Sequence, residues 1–339
     1  MADRTIQEKI DFIVYWVDGN DLEWRAKKNK YAVSAGQDVS DNRYRNWDNL
    51  QYLFRGIEAF APWVNRVFFI SDNQVPAWLN LEHPKLKLVD HRDYIPMEYL
   101  PTFSANPIEL NFHRIKDLSE HFVVFNDDFF LTNTVTPNDF FRNGKPVDIF
   151  IEFPILFNGG SPVFSHLLVN DFHTIAKYYK RDEYKKRLRS MILSPKYGAY
   201  FFYNLVMYML PFHSFFGMQT PHFCRPYLKS SIEKVWEIEG ELLDSVSRNR
   251  FRSPDDVNIY LFRIFNMLEG NFVPENIYKM GKGYGITEEN DRVCLDIMKK
   301  RYKMICINDN CDEAVFKIMK DKVNRSFHQI LPDKCSFEK

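Results

Sequence analysis

The sequence predicts an α/β fold: a Rossmann-like, mainly parallel sheet followed by a largely helical C-terminal portion. Two observations carry this expectation. From residue 10 to residue 128, short β-branched and aromatic runs alternate with helical spacings, the order of a parallel sheet covered by helices. After about residue 145 the strand-like runs thin out and helical periodicity takes over. The expected division is an α/β core over 1–145 and a mainly helical portion over 146–339 that completes the site and returns to the core.

Ile10 to Val17 is a strand by composition, ended by the turn residues Asp18, Gly19, Asn20 and Asp21. Trp24 to Asp38 is charged and is expected to be a loop. Asp48 to Phe60 has helical spacing, with Leu50, Leu53, Phe54 and Ile57 on one face and Pro62 beyond its end. Arg66 to Asp72 is a second strand, Pro76 to Leu79 a short helix, and Leu86 to His91 a third strand. Asn106 to Glu120 is a helix with Pro107 in its first turn and Ile108, Phe112, Ile115 and Leu118 inward. Phe122 to Asp128 is a buried strand. Downstream, helices are expected over His166 to Leu193, Tyr197 to Pro211 (aromatic and buried), Leu228 to Asp244 and Asp255 to Leu268. A strand over Tyr302 to Ile307 and a helix over Asp312 to Phe327 close the chain.

The totals exclude several function classes. With 339 residues, 45% of them hydrophobic, the chain can bury a large core. Lys plus Arg and Asp plus Glu are equal at 45 each, so no nucleic-acid partner held by bulk charge is expected. The five cysteines contain no C-x-x-C pair, which argues against a zinc ribbon and for a reducing compartment. The first nine residues lack the apolar core of a signal peptide. The most apolar stretch, Ala199 to Phe212, is too short to span a bilayer and contains Asn204 and Pro211. A cytoplasmic protein is expected. No G-x-G-x-x-G follows the first strand and no P-loop motif occurs.

In parallel sheets ligands sit outside the carboxyl ends of the strands, and here each predicted strand ends in carboxylates: Asp18, Asp72, Asp90 with Asp93, and Asp127 with Asp128. Any one could simply cap a turn. Several on one rim would need a shared cationic partner, for which a metal-bound nucleotide diphosphate is a natural candidate. Glu109 precedes His113 by four residues, so a helix would put them on one face; Glu109 suits a general base, and the neighbouring Arg114 suits a phosphate. His222 lies in a Pro-flanked loop. Arg248, Arg250 and Arg252 alternate ahead of Ser253-Pro-Asp-Asp256 and suit an anionic ligand. The basic run Lys177 to Arg189 is either a solvated helix face or a surface for anionic lipid. Cys306 and Cys311 read as core.

Four blocks then stand in order. The first is Ile10 to Asp21. The second is Asp48 to Phe141, with Ala61-Pro-Trp-Val64, Trp78-Leu-Asn80, Leu100-Pro-Thr-Phe103, His113-Arg-Ile115 and Asn126-Asp-Asp128. The third is Thr220-Pro-His-Phe223 with Arg250 to Asn258, and the last Ile305 to Asn310 with Cys335 to Lys339. In these blocks the chain resembles the Stealth proteins, which include bacterial capsule and cell-wall polysaccharide phosphotransferases and the eukaryotic lysosomal-enzyme N-acetylglucosamine-1-phosphotransferase. The resemblance implies transfer of a sugar 1-phosphate from a nucleotide-sugar, expected to be UDP-linked, to a glycan hydroxyl. The β-phosphorus is attacked and a nucleoside monophosphate leaves. It implies catalytic roles for Glu109, Asp128, His222 and Arg252 and places the first block by the nucleotide, pointing to Trp16, Val17 and Asp18; Asp72, as a strand-end acid, and Arg114, as a phosphate-holding cation, are expected on the same side. The resemblance also implies Mg²⁺ or Mn²⁺, with Asp127 either holding the metal or orienting the loop, and a lipid-linked oligo- or polysaccharide acceptor at the inner face of the cell membrane. The base role stays open among Glu109, Asp128 and His222. The competing readings are a conventional metal-dependent glycosyltransferase and a non-catalytic sugar-binding scaffold.

Overall fold

The computed structural model describes residues 8–35, 44–156, 162–215 and 217–339. In chain order the first portion holds β1 (Ile10–Tyr15), α1 (Leu22–Ala35), α2 (Leu50–Phe60), β2 (Val67–Ser71), β3 (Leu86–Asp90), α3 (Ala105–Leu110), β4 (His121–Phe125) and β5 (Phe129–Leu131). There follow α4 (Pro137–Phe140), β6 (Phe141–Arg142), β7 (Lys145–Asp148), α5 (Pro162–Ala176), α6 (Arg181–Arg187), α7 (Arg189–Ile192) and α8 (Ala199–Met209). The last stretch holds β8 (Arg225–Leu228), α9 (Lys229–Ser247), α10 (Tyr260–Leu268), β9 (Val273–Pro274), β10 (Gly281–Ile286), α11 (Asp291–Met298), β11 (Met304–Asp309) and α12 (Glu313–Ile330).

The main sheet runs in the order β3-β2-β1-β4-β8. Its first four strands are parallel, as the β-branched and aromatic runs predict, and β8 adds antiparallel to β4. Strands β1, β2 and β4 are buried along nearly their whole length, the state expected of a parallel sheet covered on both faces. A second sheet, β10-β11-β5, begins where the first stops. After β4 the chain turns at Asn126, the Phe129 N–H donating back to the Asn126 carbonyl (3.1 Å), and continues as β5. The Asn-Asp-Asp turn thus lies at the junction of two sheets, and one continuous apolar core runs from Ile10 to Phe337.

Four local expectations are corrected. Leu22–Ala35 is a helix, not a loop (36–38 lie outside the described residues). It has no apolar stripe to announce it, but Asp21 caps the Glu23 and Trp24 N–H groups at 2.9 and 3.2 Å, and strong helix formers fill the rest. Pro76 to Leu79 is a turn, because the C-terminal residues pair with it: Asn80 donates to the Phe337 carbonyl, and Lys339 to that of Trp78. The helix expected over 106–120 ends at Leu110. There the Asn111 side chain donates to the Pro107 carbonyl (2.8 Å) and to Ser247 Oγ (3.1 Å), and Asp117 at φ +64° rules out continuation. Helix α8 exists but is not buried, with Phe202, Val206 and Met209 facing solvent.

Candidate active site

The acidic turn supplies the first charges. Asp127 lines a cleft open to water, while Asp128 is half-buried against Cys306 of β11 and lines no cavity among the described residues. Desolvation by the protein around the cleft pushes the Asp127 carboxyl up to about 6 although its tip reaches water; desolvation first, and then the neighbouring Asp127 charge, push Asp128 up to about 7. One oxygen of Asp128 accepts the Cys306 thiol at 3.3 Å, and the other has no partner within the protein. A buried carboxylate oxygen without a donor is expensive, so this turn is built to meet something the chain does not itself provide.

Glu109 comes from α3, whose first turn is capped by Ser104. The helix delivers the carboxyl into the interior, 7% exposed, where Tyr15 Oη at the end of β1 donates to Oε1 at 2.5 Å. Burial raises Glu109 to about 7, against the lowering pull of the Tyr15 hydrogen bond and the Arg252 charge. Arg252 sits on a loop pinned by Asp256, which accepts from Ser253 N–H (3.0 Å), Asn249 Nδ2 (2.7 Å) and, on α3, Asn106 Nδ2 (2.9 Å). Asp256 thereby ties the arginine loop to the helix that carries Glu109.

His222 packs edge-on against Phe129, the first residue of β5, at 5.1 Å between ring centroids. Its Nδ1 lies 3.2 Å from Tyr260 Oη on α10. Burial, then the Arg252 charge, hold its pKa at about 4, so the ring is neutral at ordinary pH. Ligand atoms of Asp128, His222 and Cys306 all lie within 4.8 Å of one another. One carboxylate, one imidazole and one thiol make a donor set for a softer ion such as Zn²⁺ rather than for Mg²⁺. Mg²⁺ is held by one or two carboxylates together with waters and substrate phosphates. The open carboxylate of Asp127 and the unpartnered oxygen of Asp128 fit that role.

Two cavities meet at these residues. One, open to solvent, is lined among others by Trp16, Val17, Asp72, His91, Asp127 and Phe251. The other is lined by Glu109, Phe164, His222, Arg225, Tyr227 and Tyr260, among others. Tyr15, Ala105, Asn126 and Arg252 border both. The arrangement can hold one ligand on each side of a wall that carries a phenol, an amide and a guanidinium.

The expected residues divide accordingly. Glu109, His222 and Arg252 share one cavity, and Trp16, Val17, Asp72, Asp127 and Arg252 the other. Asp72 is held by Lys27 Nζ at 2.6 Å. Asp18, Asp90 and Asp93 serve the backbone instead. Asp18 accepts from Asn20 N–H; Asp90 accepts from Asn73 and Arg92 N–H, and Asp93 from Asp90 N–H. Arg114 lines neither cavity: it donates to Asn111 and stacks on Trp236 at 4.8 Å. His113 does not share a face with Glu109, since the helix ends between them, and its ring packs on Trp236. Sequence reasoning missed Tyr15, Tyr260 and Cys306. Tyr15 and Cys306 stand inside the first and last blocks, which was the available signal; Tyr260 lies two residues beyond the third.

Residues 43–148, which include Glu109, Asp127 and Asp128, match the family model for Stealth protein CR2, conserved region 2. Over nearly its whole length the chain is similar to named relatives. It is 37% identical over 335 residues to a capsular polysaccharide phosphotransferase WcwK of Streptococcus pneumoniae, covering 98% of each chain. It is 40% identical over 343 residues to a receptor polysaccharide phosphotransferase WefC of Streptococcus oralis, covering 97% of this chain and 99% of the relative. It is 36% identical over 334 residues to an exopolysaccharide phosphotransferase cps2G of Lactiplantibacillus plantarum, covering 97% and 96%. The chain belongs to the Stealth family.

Proposed function

We propose that this protein is a polysaccharide phosphotransferase that moves a hexose 1-phosphate, such as an N-acetylhexosamine 1-phosphate, from a nucleotide-sugar to a glycan hydroxyl. The product is a phosphodiester linkage in a bacterial capsule or related surface polysaccharide. The observation that carries this reading is the pair of cavities joined at Tyr15, Asn126 and Arg252. A transfer between two bound partners needs one compartment for each, with the charge-stabilising group on their boundary.

The nucleotide-sugar, with UDP as the expected carrier, occupies the cavity lined by Trp16, Val17 and Asp72, and the acceptor the one lined by Glu109 and His222. The acceptor hydroxyl attacks the β-phosphorus. The new O–P bond forms as the bond to the bridging oxygen of the nucleoside monophosphate breaks, and the hydroxyl proton passes to a base. Glu109 is the better base: its pKa of about 7 is matched to the task, whereas His222 at about 4 is a weak one. His222 instead contributes a neutral ring N–H or lone pair, its tautomer set with Tyr260. Arg252 faces the charge that builds on the phosphoryl oxygens. Asp127 and Asp128 would hold Mg²⁺ or Mn²⁺, which neutralises diphosphate charge when bound.

No helix among the described residues is long and apolar enough to cross a membrane. A cytoplasmic enzyme acting on a lipid-linked acceptor at the inner face of the cell membrane follows from this reading. Incubation with a panel of nucleotide-sugars and a glycan acceptor is the test. Release of a nucleoside monophosphate supports phosphotransfer; release of a nucleoside diphosphate would instead make the protein an ordinary glycosyltransferase.

A further inference from the structure

Helix α8 is turned inside out. Its one fully buried side chain is polar: Asn204 Nδ2 donates to the Phe150 and Ile192 carbonyls at 2.7 and 2.8 Å. Ala199, Phe202, Val206 and Met209 are spaced as one stripe down the opposite side. Phe202, Val206 and Met209 are 69%, 59% and 74% exposed. Eleven residues make a rod roughly 16 Å long. An apolar stripe on such a rod, left in water, marks a contact surface.

The charge beside it identifies the occupant. Helix α6 packs alongside, with Arg181 Nη2 donating to the Met207 carbonyl at 2.7 Å. Lys185 Nζ lies 4.7 Å from the centre of the Tyr208 ring, on the side of α8 that carries Asn204. Lys186 follows it, and Lys196 stands just before the first turn of α8; both are exposed. The acidic residues of α6 have partners of their own: Asp182 with His213 at 2.8 Å and Glu183 with Lys180 at 3.7 Å. An apolar stripe with lysines on the neighbouring α6 and just before its own first turn fits the headgroup boundary of an anionic bilayer. A two-fold contact with a second copy would instead bring two basic flanks together.

The helix is also linked to the site. Tyr200 of α8 packs in a tilted pair against Tyr278, ring centroids 5.6 Å apart, and Tyr278 Oη donates to Gln219, three residues before His222.

We propose that α8 is a membrane-docking element. Phe202, Val206 and Met209 enter the headgroup boundary, and Lys185, Lys186 and Lys196 meet anionic lipid phosphates, with the acceptor side of the site nearby. The purpose of such docking rests on the lipid-linked acceptor proposed above; the binding itself is measured without turnover. The test is co-sedimentation of the full chain with phosphatidylcholine vesicles made with and without phosphatidylglycerol. The wild type is expected to bind the anionic vesicles preferentially and to be released by salt. Both a Phe202→Gln/Val206→Gln/Met209→Gln variant and a Lys185→Glu/Lys186→Glu variant should lose on the order of tenfold or more in partitioning. Unchanged thermal unfolding, and unchanged nucleoside monophosphate release with a short water-soluble acceptor, show that the variants are folded and active. Wild type that ignores vesicles, or a triple variant that binds them as well as wild type, overturns the proposal. A wild-type dimer that the triple variant dissolves with no loss of vesicle binding assigns the stripe to a second copy and also overturns it. Vesicle binding without phosphotransfer would sink the functional reading alone.

Discussion

The Tyr15–Glu109 hydrogen bond is where the chemistry can be tuned by one atom. Tyr15 donates to the carboxylate and so lowers a pKa that burial has raised to about 7. Removing the donor in Tyr15→Phe lets that pKa rise further. A base must be ionised, so the acid limb of the kcat–pH profile should move to higher pH, with activity at high pH largely kept. A limb that stays in place would remove Glu109 from the base role. Asp128 bears on stability as well as on rate. Its folded pKa is raised, so as pH rises from about 4 through about 7 the folded state gives up a proton that the unfolded state has already lost, and stability falls. Asp128→Asn should therefore be more stable than wild type above pH 7, by about 1 kcal/mol given the water in the cleft. The difference should vanish toward pH 4 in denaturant titrations. The same variant should lose about 10²–10⁴-fold in kcat. The acidic pair was visible in the sequence because two carboxylates between apolar runs demand a reason. Tyr15, Tyr260 and Cys306 were not, because a phenol or thiol in an apolar run looks like core until a long-range contact gives it a partner.

At the scale of elements, the Asn-Asp-Asp turn is held by what packs behind it. Gly56 of α2 comes so close to β5 that a Cβ there would lie 2.8 Å from the Leu131 carbonyl oxygen. Helix propensity favours alanine at this position by about 1 kcal/mol, but overpacking against backbone costs about 1–3 kcal/mol. Gly56→Ala should therefore lower stability by about 1 kcal/mol and, by shifting β5, lower kcat too. Thermal unfolding together with steady-state kinetics would show this, and a more stable variant would refute the close approach. Here the sequence was legible where one strand or helix buries its own face, as in β1, β2, β4 and α2. It failed where distant segments decide: the C-terminal residues that turn Pro76 to Leu79 into a bridge, the Asn111–Ser247 bond that ends α3, and the polar anchor that turns α8 outward.

At the scale of the molecule, β8, the edge strand of the main sheet, is tied to β7 and α10 by a buried charge network. Asp148 of β7 accepts from Arg263 of α10 at 2.7 and 2.9 Å and pairs with Arg225 of β8. Burial alone would raise its pKa, but the two guanidinium groups overcome this and hold it below the usual carboxylate range. The network is at full strength above about pH 4 and is lost as pH falls through the depressed value. Asp148→Ala leaves two arginines buried without a counter-charge and should cost about 3–5 kcal/mol in denaturant unfolding at pH 7. A loss below about 1 kcal/mol would mean that the network holds nothing together. Because β8 and the His222 segment are contiguous in sequence, the same loss should reach the acceptor side of the site. None of this partnership could be read from Asp148, Arg225 and Arg263 as separate letters.

The central claim is that the bond made at this site is to phosphorus. A nucleotide-sugar labelled at its β-phosphorus, incubated with the full chain and a glycan acceptor, tests it most directly. Label recovered in the glycan, in a phosphodiester and in amounts equal to the nucleoside monophosphate released, is the expected result. Label left wholly in nucleoside diphosphate while the sugar is transferred would contradict it.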